Sequence, residues 1–591
     1  MMQGNPAPIQ APDAAESYRL FAGTTPAGSS FEGAPILAIA AADSHGILYG
    51  LGRLLRNFPR YVQAEHPMVE THTPATGDRG VYFATHFQNF YEGAPLEILA
   101  EYIEDLALWG YNLLFTWFDM SWYPAGFWND PHSAGMRMIE RLRFIARTAR
   151  ACGMRIGTTA IANEGFRSQP PPELRADPSV RRGGFYLESQ ICPSKPGGMD
   201  MILHNRSKVL ELLGDFDFYW HWPYDQGGCG CEQCSHPKGV RWGRKFLEVG
   251  QITADLVRQF NPQAKFYLST WLMDAEEHAM IEELCRQGAD WFEGVLYETY
   301  TLDDHPLPAP YRRMVFPEIS MFDCYFTSYG CNGANPAPRR FAEQARRVVN
   351  AGAGAALYSE GMYEDVNKIT WAAMLWDPHR EIGEVIREYA GYYFGQTNTE
   401  TAADLIFALE ETWGAEKLHH ASLQQVKAIL EGLLALEKDL PQMAGSTLRW
   451  RALRDRAEID LLMKQIPPEE PLIGTARFLM DETGCTDDLP ELRKRLEVFC
   501  RRLQARQEGV ERLFEAHWAY MIRFFMQRTS LVFLPDDAIG GRDFEKLLCL
   551  LQEALAQKDD QAMRLAAMRA FKRWLWLNGI RIEHLFLEEG E

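Results

Sequence analysis

The sequence predicts an α/β fold: a closed (β/α)8 TIM barrel with a small N-terminal α+β domain before it and a C-terminal all-α helical domain after it. Three observations predict this. Between residues 79 and 361, strand-like stretches alternate with helix-period segments, and eight such units over roughly 300 residues are what a (β/α)8 barrel requires. Acidic residues fall at or just past the C-terminal ends of those stretches: Asp119, Glu164, Asp225, Asp274, Glu298, Glu318 with Asp323, and Glu360. In a closed barrel those ends form one rim, where the βα loops build active sites. After about residue 385 the strand signals stop. The expected domains are therefore 1–77, 78–390 and 391–591.

Residues 1 to about 15 are rich in Pro and Ala and read as loose chain. ESYRLFAG and APILAIAAA read as short strands. In the following DSHGILYGLGRLLRNF, Ile47, Leu51, Leu54 and Leu55 share one helical face, and Asp43 or Ser44 can cap the start. This α+β piece ends near Pro74. The barrel strands are then GVYFATHF (80–87), YNLLFTWFDM (111–120), MRIGTTAIANE (154–164), the stretch ending at Asp225, KFYLSTWLMD (265–274), WFEGVLYET (291–299), MVFPEISMF (314–322) and GAALYSEG (354–361). Helices are expected over 96–110 and 135–153. Beyond 391 every segment has helical period, with Pro-containing loops such as IPPEEPLIG between segments. No chemical motif stands out there, so a scaffold or a homo-oligomer surface is the expected role.

A net charge of −20 disfavours a nucleic acid or an anionic membrane as partner, because either is repelled over much of the surface. No apolar run reaches the length of a membrane span. The opening MMQGNPAPIQAPDAAES lacks the basic start and apolar segment of a signal peptide, so the expected location is cytoplasmic. Eleven cysteines, thinly spread outside one cluster, read as reduced thiols plus one metal site.

That cluster follows the fourth strand, in FDFYWHWPYDQGGCGCEQC. Cys229, Cys231 and Cys234 supply three soft ligands, whereas tetrahedral zinc takes four. Cys192, in the loop after the third strand, is the better fourth ligand, and His236 is the alternative. Four thiolates leave no open coordination position, so the expected ion is a structural zinc that fixes the Asp225 loop, and no organic cofactor is expected.

Asp225 ends the fourth strand among Trp220, His221, Trp222 and Tyr224. Aromatic faces around a carboxyl disfavour its charged form, as a general acid near neutral pH needs. Glu360, directly after the last strand and beside Tyr358, could be the second carboxylate of a glycosidase pair, with Asp323 or Glu318 as its replacement. Helix capping is the ordinary use of such acids, and Asp365 or Asn367 is the expected start of the next helix. Arg79, His86, Trp117, Asp119, Asn163 and Glu164 end or border the first three strands and could clamp sugar hydroxyls. Trp222, Tyr224, Trp271, Glu298, Tyr358 and Asn367 extend this candidate substrate-binding set. Trp117 or Trp271 could stack on a sugar face.

With these residues in view, the chain resembles the superfamily of barrel glycoside hydrolases that includes the family 20 β-N-acetylhexosaminidases and the family 67 α-glucuronidases. ILAIAAADSHGILYGLGRLL is similar to the end of the small domain preceding their barrels, and Arg79-Gly80 to the opening of the family 20 first strand. A barrel followed by helices is more like the α-glucuronidases. The chain departs from family 20 at the fourth strand: an Asp-Glu pair there orients the substrate's acetamido group and supplies the acid, whereas this chain reads Asp225-Gln226. The N-terminal domain is also short. One upstream Cys followed by Cys-x-Cys-x-x-Cys is similar to the zinc site of family 42 β-galactosidases, which favours Asp225 as acid by analogy.

The expected protein is an exo-acting glycoside hydrolase that removes one terminal N-acetylhexosamine, uronic acid or neutral hexose. Asp225 would protonate the leaving oxygen, and Glu360 or Asp323 would act as nucleophile or base. Arg167 or Lys195 would be the cation for a uronide. A non-catalytic sugar-binding barrel and a zinc-dependent hydrolase are the alternatives.

Overall fold

The structure, a computed structural model, describes residues 10–25, 33–63, 66–86, 88–178, 188–225, 228–235, 242–299, 301–302, 305–319, 334–412, 415–441, 444–467, 469–525 and 544–577. Asp323, His236 and Gln226 lie outside the described residues.

Three antiparallel strands open the chain: β1 (Tyr18–Thr24), β2 (Pro35–Ala41) and β3 (Met68–His72), in the order β2-β1-β3. The third strand is an addition to the two read from sequence. Asp43 caps the helix Ser44–Arg56 by accepting from the Gly46 N–H. That helix turns its other side inward. Ile47, Leu51 and Leu55 are 43%, 41% and 42% exposed, while Gly46, Tyr49, Gly50 and Gly52 are buried. The glycines let the helix approach the sheet closely, since a Cβ on Gly50 would lie 2.7 Å from the Ile39 side chain.

Eight parallel strands then close a barrel: β4 (Arg79–Phe83), β5 (Leu113–Trp117), β6 (Arg155–Ile161), β7 (Phe218–Trp222), β8 (Lys265–Ser269), β9 (Gly294–Tyr297), β10 (Arg312–Val315) and β11 (Gly354–Ser359). The ring order is β10-β11-β4-β5-β6-β7-β8-β9. Helices such as Leu96–Leu108, Ala134–Ala151 and Gly243–Phe260 cover the outside. Strands buried on both faces read as continuous apolar runs, as seen here.

The interior is filled largely by rings: Tyr82, Phe115, Trp117, Phe218, Trp220, Trp222, Tyr267, Phe316 and Tyr358. Glycines on neighbouring strands make room for them. Gly157 sits opposite Phe115 in the β5–β6 register and Gly294 opposite Tyr267 in β8–β9, and a Cβ at either would lie about 2 Å from the ring.

The helical region divides its apolar residues between two cores. Trp450, Leu453 and Ala457, on the helix Ala444–Gln465, join the core that surrounds the barrel. The helices Glu469–Cys485, Phe544–Leu555 and Asp560–Leu577 pack with the first part of Leu489–Arg523 around a separate core that includes Leu496, Leu551 and Trp574. IPPEEPLIG, read as a loop, runs into the helix Glu469–Cys485. Pro471 lies in its first turn, where the missing N–H costs nothing. Among the described residues no helix is long and apolar enough to cross a membrane.

Candidate active site

β7 and β11 stand four places apart in either direction around the eight-stranded ring, so they face each other across the barrel. Asp225 follows the first and Glu360 the second. One aromatic wall connects them. The Trp271 Nε1–H donates to Asp225 Oδ1 at 2.6 Å. The Trp271 ring meets Phe316 edge-on at 6.0 Å, Phe316 meets Tyr358 at 5.6 Å, and the Tyr358 hydroxyl donates to Glu360 Oε1 at 2.8 Å. Trp222 and Tyr224 close the wall from β7, with Trp222 packed at 5.9 Å from Phe316. Glu360 is fully buried, whereas Asp225 is half-buried.

Among the described residues, four non-glycine residues on the mouth loops adopt left-handed backbone conformations: Gln88 (φ 54°), Ser168 (φ 57°), Tyr224 (φ 55°) and Leu272 (φ 56°). They follow β4, β6, β7 and β8. Such conformations cost of order 1–3 kcal/mol each and gather where surrounding structure imposes a geometry on a site. Tyr224 immediately precedes Asp225, and Leu272 immediately follows Trp271.

His86 and Trp117 complete the wall on the β4–β5 side, their rings 4.7 Å apart. Burial lowers the His86 pKa to about 3, so its imidazole is neutral. The Tyr82 hydroxyl is 3.3 Å from its Nδ1. A cleft of about 760 Å³ opens beside His86 and runs outward past Trp122, Tyr123 and Arg137. On the opposite side, a cavity of about 170 Å³ is lined by Trp271, Phe316, Glu298, Glu318, Arg340 and Arg347. Glu298 also accepts from the Leu272 N–H at 3.0 Å.

Several residues read as rim groups are placed elsewhere or engaged internally. Arg79 begins β4 and so lies at the bottom of the barrel. Its guanidinium donates to the carbonyls of Gly110 (2.7 Å) and Thr76 (2.6 Å) and to Glu16 (2.7 Å). The Asn163 amide donates to the carbonyls of Ile191 and Gly228 and accepts from the Gly228 N–H, tying two loops together. Asn367 binds the carbonyls of Ile319 and Asn335 and the Ala337 N–H. Asp119 caps a turn through Ser121, and Asp274 caps the helix Ala275–Arg286. Glu164 accepts from the N–H groups of Met120 and Ile161 and from the Trp117 indole, and burial, reinforced by Asp119, pushes its carboxyl well above the usual range. Lys195 pairs with Asp177 at 3.0 Å, and Arg167 is exposed on the loop after β6.

The loops joined by Asn163 carry the cysteines. The sulfurs of Cys192, Cys229, Cys231 and Cys234 all lie within 4.8 Å of one another, close enough to chelate a metal. Cys192 Sγ is 3.7 Å from both Cys231 and Cys234, and a tetrahedral centre with bonds of about 2.3 Å spaces its sulfurs by about 3.8 Å. The Asp177 N–H donates to Cys229 Sγ at 3.3 Å, as an amide does to a ligating thiolate.

Sequence reading missed a buried polar set below Glu360: Glu364, Asp365 and Lys368, with Tyr102 from an outer helix and Arg449 from the helical region. The available signal was the i, i+4 pair Glu364 and Lys368 in a segment otherwise rich in apolar residues.

No family model and no curated protein matches the sequence. Among solved structures, a family 138 glycoside hydrolase targeting pectin rhamnogalacturonan II is similar at a TM-score of 0.52 and 9% identity, over 91% of this chain and 73% of that one. A family 115 4-O-methyl-α-glucuronidase with specificity for decorated arabinogalactans is similar at 0.50 and 11%, over 90% and 70%. A family 89 glycoside hydrolase from Clostridium perfringens, in complex with its substrate GlcNAc-α-1,4-galactose, is similar at 0.50 and 11%, over 95% and 74%. At these identities what the chain shares with all three is a fold: the barrel with its flanking elements.

Proposed function

We propose that this protein is an exo-acting glycoside hydrolase that removes one terminal sugar, an N-acetylhexosamine, uronic acid or neutral hexose, from a small glycan. Asp225 is the general acid and Glu360 the nucleophile or the base for water. The observation that carries this reading is the placement of two carboxylates after opposed strands, each hydrogen-bonded to a ring of one aromatic wall. Rings suit the apolar faces of sugars, and carboxylates suit the two proton-transfer roles. The similar structures of families 138, 115 and 89 support it as named glycoside hydrolases of the same fold.

The cysteine cluster is a structural zinc site in this reading. Four thiolates fill a tetrahedron and leave no position for substrate or water, which argues against a zinc-dependent hydrolase. When bound, the ion clamps the loop that follows Asp225. Metal analysis should give one zinc per chain, and stripping it should lower the melting temperature.

A panel of aryl glycosides tests the function. The wild type should release aglycone from at least one, and Asp225→Asn and Glu360→Gln should lower kcat by about 10²- to 10⁴-fold while sugar binding survives. Binding without turnover by the wild type would replace the enzyme with a carbohydrate-binding barrel.

A further inference from the structure

The helix Asp365–Trp376 is buried at all twelve positions, between the barrel and the helical region, and it carries a lysine. Lys368 is fully buried. Its Nζ donates to the Gly361 carbonyl at 2.5 Å and to the Tyr102 hydroxyl at 2.9 Å, and lies 3.5 Å from Glu364 Oε2. The same Glu364 oxygen accepts from the Glu360 N–H at 3.0 Å. One ammonium thus holds the backbone on both sides of the Glu360 side chain: directly at the Gly361 carbonyl, and through Glu364 at the Glu360 amide.

The network continues away from the mouth. The Tyr102 hydroxyl donates to Asp365 Oδ1 at 3.0 Å. Arg449 donates to Asp365 Oδ2 at 2.6 Å and to Asp105 at 2.8 Å, and stacks over Tyr393 at 3.9 Å. The Lys368 Nζ also lies over the rings of Tyr102 and Tyr91, 5.2 and 5.8 Å from their centroids. A buried ion pair of this kind adds little net stability compared with an apolar replacement, so a geometric role accounts for it better.

We propose that Glu364 and Lys368 are positioning residues for Glu360, anchored by Arg449 of the helical region through Asp365 and Tyr102. The proposal rests on the reading of Glu360 as one of the two reacting carboxylates. It gives the helical region a part in the site. Burial lowers the Lys368 pKa to about 8, with Glu364 and Asp365 opposing the shift, so the ammonium stays charged at neutral pH.

The test compares Lys368→Met with the neutral pair Lys368→Met/Glu364→Gln, using the best aryl glycoside. Lys368→Met should lower kcat about 100-fold with KM nearly unchanged, the scale of a misplaced reacting group. The acidic limb of its pH profile should move to higher pH, because a positive charge is removed from beside Glu364 and Glu360. The neutral pair should recover about tenfold of that loss, since the negative charge is removed together with the positive one. An unchanged kcat in Lys368→Met, or a neutral pair no better than the single variant, overturns the proposal. If Lys368→Met does not fold, Tyr102→Phe removes only the hydroxyl that holds the ammonium and should lower kcat about tenfold with KM nearly unchanged; a wild-type kcat then overturns the proposal. If the wild type cleaves no glycoside, the reading of Glu360 fails separately. A crystal structure of Lys368→Met or Tyr102→Phe then decides the geometry: Glu360 displaced from Tyr358 supports positioning, and Glu360 still bonded there overturns it.

Discussion

The two ends of the barrel use buried charge differently. At the bottom, Arg79 meets two carbonyls and Glu16 and is stacked 4.9 Å from the Trp376 ring, a closed set that joins the N-terminal domain to the barrel. At the mouth, Asp225 and Glu360 are hydrogen-bonded to the Trp271 and Tyr358 side chains and lie on the wall of the candidate site. Conserving a fold calls for the first arrangement and reacting with a substrate calls for the second. The two ends should therefore fail in different assays.

The largest effect is expected at the mouth. Asp225→Asn or Glu360→Gln should cost 10²- to 10⁴-fold in kcat, the usual range for a lost proton-transfer group, with little change in melting temperature. A large loss of stability with activity retained would erase the contrast. At the bottom, Arg79→Met should destabilise the protein by about 3–5 kcal/mol, because Glu16 and two carbonyls lose their donor. Activity per folded molecule should be retained; a selective loss of kcat would make Arg79 part of the site after all.

A pH experiment sharpens the contrast by comparing two histidines of opposite location. His86 faces the mouth, and His221 packs behind β7 against Phe246 at 4.5 Å. Burial holds both at about 3 when folded, against 6.5 for the free side chain. Between those values the unfolded chain binds more protons, so their contribution is complete above about pH 6.5 and is lost as pH falls toward 3. Urea denaturation should show stability falling by about 1.4 kcal/mol per pH unit for each histidine in that window. His86→Phe should flatten the slope by one histidine's share, and an unchanged slope would mean that water reaches the His86 ring. The smallest effect is expected from Trp271→Phe, which removes the donor to Asp225 and should lower kcat/KM about tenfold without a change in fold.

The barrel was legible because seven of its eight strands combine apolar or aromatic residues with a following acid. The strand ends were not. WHWPYDQ keeps its aromatic pattern beyond Trp222 because Tyr224 belongs to the wall, although its backbone has left the sheet. Arg79 looked like a rim residue because polar side chains at both ends of a buried strand look alike in sequence, and only direction separates them. Asn163 and Asn367 occupy rim-like positions, yet their amides match carbonyls of loops that sequence cannot bring together. The four cysteines were readable as a set because Cys-x-Cys-x-x-Cys with one upstream Cys is a spacing that metal chelation uses, and their sulfurs do lie within 4.8 Å of one another. The support below Glu360 was not, since Lys368, Tyr102 and Arg449 meet only in the folded chain.

The glycine and aromatic pairs across β5–β6 and β8–β9 have a consequence for assembly. Phe115 fits only opposite Gly157, and Tyr267 only opposite Gly294. A slip of two residues preserves inside and outside but drives a ring into a side chain, so each pair keys one staple of the barrel's shear. Two such keys make misaligned closure sterically self-correcting while the sheet is still open.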